Sequence, residues 1–475
     1  MRELKPEAIA ELVELDARHR ALVLGGLRNK LDHYGRTGRL SYAYEVCPVC
    51  RDMGSTEEEP RCDACYIRRA CKAPFEEGFR DNVEAGVIYF RSMLRGLERL
   101  ERSGTMLFVG GSYDAGGGSG FGLTAQRIAD ALGATEAVTG GTLDVLEAAR
   151  SRASQVDVTV WMPSVHNEEP KAYPVKRPGA ILICAKVMRK GYTRFDSVSR
   201  IFRMGANAVI EVHRYEPRGY RFALVDALGN EWVHTEDLHE FADGVDRFLE
   251  WARGVIRKQS LQIPIIGDPP APPSDLPVLV DIVRAVADRV ENERGGRYFG
   301  NASTRCMAMF PSERSEERVF VSARNVDKQR LEPEDFVCVQ MRASLDAVYY
   351  YGSRKPSVDT PVQLKLYQRF PWLRYMIHGH AFAEGALTTS KYFPCGDMRE
   401  VGSACDAVLE LETKGQQKHA GAINLKGHGF LLYSDTLEAL RGVVAEVQFR
   451  NVVPAPGAGT KANTCSPVDK HEAVG

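Results

Sequence analysis

The stretch 372-WLRYMIHGHAFAEGAL-387 decides how this chain is read. An apolar run ends in two histidines, His378 and His380, separated by one glycine. On a β-strand, residues i and i+2 point to the same side, about 6.5–7 Å apart along the chain. Two imidazoles so placed can converge on one ion, each nitrogen about 2.0–2.1 Å from zinc. Gly379 faces the other way and permits close backbone packing. An isolated H-x-H is more simply a pair of polar residues at a strand end, so its weight depends on its surroundings.

Those surroundings are ordered. "GNASTR" (300–305), "VFVSARNVDKQRLEPEDFVCV" (319–339) and "KPSVDTP" (355–361) precede "HGH" (378–380), and "KGHGFLL" (426–432) follows it. In this order and over about residues 276–453, the motifs resemble those of the class II aldolase/adducin family. The resemblance implies a C-terminal α/β/α domain in which His378, His380 and His428 are metal ligands and Asp359 is the acid/base carboxylate. Three neutral imidazoles with an open fourth position suit a catalytic site. The ion, Zn2+ or another divalent metal, polarises a carbonyl or stabilises an enolate, while a neighbouring carboxylate moves the proton.

The implied activity is that of a metal-dependent aldolase-type lyase acting on a sugar-phosphate-like or other anionic carbonyl compound through a metal-stabilised enolate. An epimerase or dehydratase would use the same chemistry, and adducin-like members that lack the metal histidines are binding proteins. Two departures from the family pattern bear on the substrate. The family's glutamate is Asp359, one methylene shorter, and the phosphate loop is replaced by Ser322-Ala323-Arg324-Asn325. Asn301, Ser303, Ser322, Arg324 and Ser357 remain as candidate donors to the substrate anion, with a guanidinium able to grip it bidentately. Relatives assemble with sites at subunit boundaries, which implies a homo-oligomer.

Outward from this region, "IPIIGDPPAPPSDLP" reads as a proline-rich linker over 263–275, and 454–475 reads as a disordered tail. Residues 1–103 have helical texture interrupted by "CPVCRDMGSTEEEPRCDACYIRRAC". Paired C-x2-C knuckles at Cys47, Cys50, Cys62 and Cys65, with Cys71 near, are typical of structural Zn2+, an iron–sulfur cluster being the rival. From 104 to 262, short apolar strands alternate with helices, as in an α/β (Rossmann-like) module with a parallel sheet. The glycine loop in "FVGGSYDAGGGSGFGLTAQRIADALG" (108–133) is a candidate cradle for a nucleotide phosphate, although it matches neither common phosphate-loop pattern.

A chain of 475 residues exceeds one comfortable core, so a multidomain α/β protein is expected. Its net charge of -1 provides no field for nucleic acid or an anionic membrane. The eleven cysteines are odd in number, five of them crowded into 47–71, which argues for reduced thiols and a cytoplasmic protein.

Overall fold

The structure is a computed structural model, here described for residues 17–38, 105–110, 121–153, 156–163, 179–188, 190–215, 219–260, 262–265, 268–306, 317–342, 347–415 and 419–454, with a few single positions between 87 and 177. The cysteine cluster at Cys47, Cys50, Cys62, Cys65 and Cys71, most of the glycine loop and the tail from 455 lie outside the described residues. The chain divides into two compact units. The first comprises Met1–Gly191, Met204–Val225 and Glu231–Leu249; the second comprises Tyr192–Arg203, Asp226–Asn230 and Glu250–Gly475. Among the described residues, no helix is long and apolar enough to cross a membrane.

The first unit is built on seven strands: β1 (Thr105–Gly110), β2 (Glu136–Thr139), β3 (Val156–Met162), β4 (Ile181–Met188), β5 (Ala208–Tyr215), β6 (Gly219–Asp226) and β7 (Glu231–Thr235). Their order is β2-β1-β3-β4-β5-β6-β7. The pairs β1–β2, β1–β3, β3–β4 and β4–β5 are parallel, and β6–β7 is antiparallel. Strands covered on both faces read as continuous apolar runs, and Ile181–Ala185 of β4 is buried at every position. The chain leaves β1 towards β2 and returns through a helix, Leu143–Arg152, to β3 on the other side of β1. A sheet of this order reverses direction at β1, the kind of place where open α/β sheets form a crevice.

The strands of the second unit begin with β8 (Gln262–Ile265), followed by β9 (Glu293–Arg294), β10 (Arg297–Tyr298), β11 (Asn301–Cys306), β12 (Arg318–Ser322), β13 (Phe336–Gln340) and β14 (Val348–Tyr351). Next come β15 (Tyr375–Gly379), β16 (Ala381–Ala383), β17 (Leu387–Thr388), β18 (Ala420–Leu425), β19 (Gly429–Ser434) and β20 (Phe449–Asn451). Nine of them form a mixed sheet of order β17-β18-β19-β15-β11-β12-β13-β14-β8, while β9 with β10 and β16 with β20 make two small ladders. Most of the pairings in the large sheet are antiparallel; β8–β14 and β17–β18 are parallel. Helices Leu276–Ala287, Thr360–Arg369, Glu400–Thr413 and Leu437–Glu446 complete the unit. The first of these has proline in its first turn, where the missing N–H costs nothing. It buries Leu276, Leu279, Val280, Ile282, Val283 and Val286, the 3.6-residue stripe of an amphipathic helix.

One expectation is corrected. Residues 263–265, read as the start of the linker, belong to β8, which pairs with Tyr349–Tyr351 of β14 at the edge of the sheet. Pro264 is tolerated because an edge strand leaves one row of its backbone groups without a ladder partner.

Candidate functional site

Sheet register brings the site together. The HGH strand β15 is paired on both sides, with His378 opposite Asn301 of β11 and opposite Leu431 of β19. His428 sits in the turn between β18 and β19, closed by a hydrogen bond from its N–H to Leu425 O (3.0 Å). The backbones here approach too closely for side chains. Gly300 has φ of 71°, and a Cβ there would lie 2.4 Å from the His378 carbonyl oxygen. A Cβ at Gly379 would lie 2.7 Å from the ring of Phe430. The H-x-H glycine is therefore set by packing, with the two imidazoles left on the opposite face.

The ligand nitrogens of His378, His380 and His428 all lie within 4.8 Å of one another. Ring centroids are 4.6 Å apart for His378–His428, 5.4 Å for His378–His380 and 5.6 Å for His380–His428. The tautomers of two rings are set by their outer partners. His378 Nδ1 donates to Phe430 O (2.8 Å), and its Nε2 is buried without a hydrogen-bond partner. His428 Nδ1 donates to Glu400 Oε1 (2.8 Å), with both residues at most 3% exposed. Each ring thus turns Nε2 inward, the arrangement of metal-ligating histidines whose other nitrogen is held by a carbonyl or carboxylate. An orphaned buried nitrogen costs free energy unless something completes it, and a divalent ion fits this donor set.

Protonation follows the same geometry. Burial, then the neighbouring His428, pushes His378 down to about 4. Burial, then His378 and His428, holds His380 well below the ordinary histidine range, with its ring stacked on Phe299 at 5.0 Å. Burial acts in the same sense on His428, but Cys395 and Glu400, one on each ring nitrogen, outweigh it and hold His428 well above that range. Burial in turn raises both Cys395 and Glu400, against the opposing pull of His428.

Beside the histidines stands Asp359, the residue before helix Thr360–Arg369. One carboxylate oxygen of Asp359, the Cys395 sulfur and a nitrogen of His428 all lie within 4.8 Å of one another. Asn301 Nδ2 donates to Asp359 Oδ2 (3.2 Å) and to Ser357 Oγ (3.1 Å), and Gln363 Nε2 donates to Asn301 Oδ1. Asp359 Oδ1 is buried without a hydrogen-bond partner. Arg324 is close enough to Asp359 to feel its charge, while burial lowers its pKa, and its Nη2 donates to Gln262 Oε1 (3.3 Å).

Asn301, Ser357 and Arg324 are thus grouped around Asp359, but Ser303 and Ser322 are not. Ser303 is fully buried with its hydroxyl 2.9 Å from the Tyr367 hydroxyl, and Ser322 Oγ accepts from Ala302 N (3.1 Å). Both hydroxyls bond within the interior of the sheet. A small pocket adjoins the histidines, lined in part by Phe299, Asn301, His378, His380, Asn292 and Lys328. Lys328 is 5% exposed, and its Nζ donates to Val326 O (2.7 Å). Sequence reasoning missed Lys328, Glu400 and Cys395.

Residues 280–450 match the family model described as Class II Aldolase and Adducin N-terminal domain. This segment belongs to that family. Methylthioribulose-1-phosphate dehydratase from Acidiphilium cryptum (strain JF-5) is 30% identical over 95 residues, which is 20% of this chain and 39% of the relative. The match therefore spans about two fifths of that protein. Among solved structures, an L-fuculose 1-phosphate aldolase aligns at 18% identity over 37% of this chain and 82% of its own, with a TM-score of 0.27. The L-fuculose-1-phosphate aldolase of Thermus thermophilus aligns at 17% identity over 36% of this chain and 84% of its own, with a TM-score of 0.24.

Proposed function

We propose that the class II aldolase-like domain is a divalent-metal-dependent lyase that removes and returns a proton next to a carbonyl of an anionic, sugar-phosphate-like substrate. The observation that carries this reading is the convergence of three imidazoles with His378 Nε2 buried and unpartnered among them. His378, His380 and His428 would hold the ion, which when bound supplies Lewis acidity to a carbonyl oxygen gaining negative charge. Asp359 faces the same point with one oxygen fixed by Asn301 and the other free to take up a proton. Arg324 and Lys328 flank the site as cations for the substrate's anionic group, Arg324 beside Asp359 and Lys328 in the cavity wall. Loss of a hydroxyl begins with removal of the proton next to the carbonyl, whereas carbon–carbon cleavage begins at the β-hydroxyl proton and ends with a proton returned to the enolate carbon, and the likeness to a dehydratase favours keeping dehydration as the second reading.

Two experiments test the proposal. Purified full-length chain is assayed for zinc, manganese and cobalt, alone and as His378→Ala and His380→Ala. The reading requires one ion fewer in each variant, and unchanged metal content would end it. Asp359→Asn keeps the ion and lowers turnover of a responsive sugar phosphate by at least ~100-fold. Incubation with a panel of aldose and ketose phosphates, followed by mass analysis of the products, separates cleavage from dehydration.

A further inference from the structure

The peptide that leads into His428 is held at both ends. Its N–H, that of His428, donates to Leu425 O (3.0 Å), and its C=O, that of Gly427, accepts from Asn230 Nδ2 at 2.6 Å. A peptide unit is planar, so fixing both groups fixes the direction in which the His428 Cα leaves it. Asn230 lies 197 positions before Gly427, outside the segment 280–450 that matches the family. Its turn, Asp226–Asn230, belongs to the second unit together with the histidines.

The turn is built to present that amide. Asp226 is 3% exposed, and its Oδ1 accepts from Leu228 N (2.9 Å) and Asn230 N (3.1 Å). Its own N–H donates to Asn230 O (3.1 Å), and Arg194 Nη1 donates to Gly229 O (2.9 Å). Tyr392 closes the other side of Gly427, with its hydroxyl donating to Asp226 Oδ2. A Cβ on Gly427, at φ of 67°, would run into Asn230 Oδ1 and lie 3.0 Å from Tyr392 Cδ2. Glycine at 427 thus admits both the left-handed backbone and the clamp around it.

We infer that Asn230 is a positioning residue for His428, and that the turn Asp226–Asn230 presets the direction of this metal ligand. The proposal rests on the metal-site reading above and adds to it a determinant of metal affinity outside the family-matched segment. Glu400 holds the ring, while Asn230 and Leu425 hold the peptide, so His428 has little freedom left to lose when an ion binds. Without the Asn230 amide the peptide can turn in the metal-free chain, and binding must then reorder it.

The test titrates the full chain with Zn2+ against a chromophoric chelator, and with Co2+ while its visible d–d bands report ligand geometry. Wild type, Asn230→Ala and Asn230→Asp are each compared with the same chain carrying His378→Ala, which subtracts any ion held elsewhere. Loss of one neutral hydrogen bond should raise the Zn2+ Kd of Asn230→Ala roughly three- to tenfold. Asn230→Asp keeps the size but sets a carboxylate oxygen against Gly427 O, so its Kd should rise at least ~10-fold, with altered d–d bands. Metal-free urea midpoints measured in parallel separate a positioning role from a purely structural one. Lowered midpoints with Zn2+ Kd values less than about twofold changed and superimposable d–d bands in both variants would mean that Asn230 only fastens the fold. That result overturns the proposal while leaving the histidine site intact. Undiminished cobalt in His378→Ala alone overturns the metal-site reading, and the positioning role with it.

Discussion

Glu400 lies behind His428, on its outer nitrogen, and it should set much of the metal affinity. Its carboxylate accepts from His428 Nδ1 at 2.8 Å, and it is 3% exposed. A hydrogen bond to a charged group contributes about 1.5–3 kcal/mol, and each ~1.4 kcal/mol is tenfold in an equilibrium constant. Glu400→Ala should therefore weaken Zn2+ binding roughly 10- to 100-fold, the range seen when an outer partner of a ligating histidine is removed. Glu400→Gln keeps an oxygen for the N–H but not the charge. Neutral bonds are about half as strong, so its loss should be roughly three- to tenfold. The same carboxylate helps to hold a proton on His428 in the metal-free chain, against the lowering effect of burial, and the ion must displace that proton. This competition penalises wild type more than the variants, and it fades as pH rises. The ratio of variant to wild-type Kd should then grow between about pH 7 and about pH 8.5. Competition with a chromophoric chelator measures each Kd on the full chain. A Glu400→Ala Kd within about twofold of wild type at both pH values, alongside loss of the ion in His428→Ala, would refute the reasoning.

Three further outcomes follow from the site's surroundings. Burial pushes Lys328 down to about 8, opposed by Asp327 and Asp335, so the folded chain binds fewer protons there than the unfolded chain between about pH 8 and 10.5. Stability tied to this group is lowest below pH 8 and rises with pH across that window, and Lys328→Met should raise urea stability near neutrality by about 1–3 kcal/mol while weakening substrate binding. His378, at about 4, stays neutral in the fold, so in chelator its contribution is lost as pH falls from about 6.5 towards 4, on the order of 3 kcal/mol; His378→Phe should flatten that part of the acid profile. Gly379→Ala drives a methyl into the buried ring of Phe430 and should cost about 1–3 kcal/mol, read as a lower Tm and reduced metal occupancy together.

The meeting of the three histidines was legible because it depends on strand periodicity and on one tight turn, both written locally in "YMIHGHAF" and "KGHGF". The alternation of strand and helix after Thr105 was legible for the same reason: buried parallel strands such as Ile181–Ala185 are unbroken apolar runs. Glu400, Lys328 and Cys395 were not legible. Glu400 reads as an ordinary acid in the first turn of a helix, and Lys328 as a solvated residue in "NVDKQR". Only contacts to a residue 28 or more positions away place Glu400 and Cys395 against His428. Ser303 and Ser322 bond within the sheet interior, where a hydroxyl suited to an anion is equally suited to a buried strand. Proline likewise misled at 263–265, where an edge strand accommodates what a central strand would reject.

Asn301 is held by Gln363 and in turn holds Asp359 by one oxygen, leaving Oδ1 buried without a partner and, in the proposed reaction, the one that would exchange a proton. A carboxylate anchored in that way cannot rotate to present its other oxygen, so a carbon resting against it meets acid and base from a single side. The handedness of the product is then a property of one amide's orientation, and turnover in heavy water should write deuterium into only one of the two mirror-related positions.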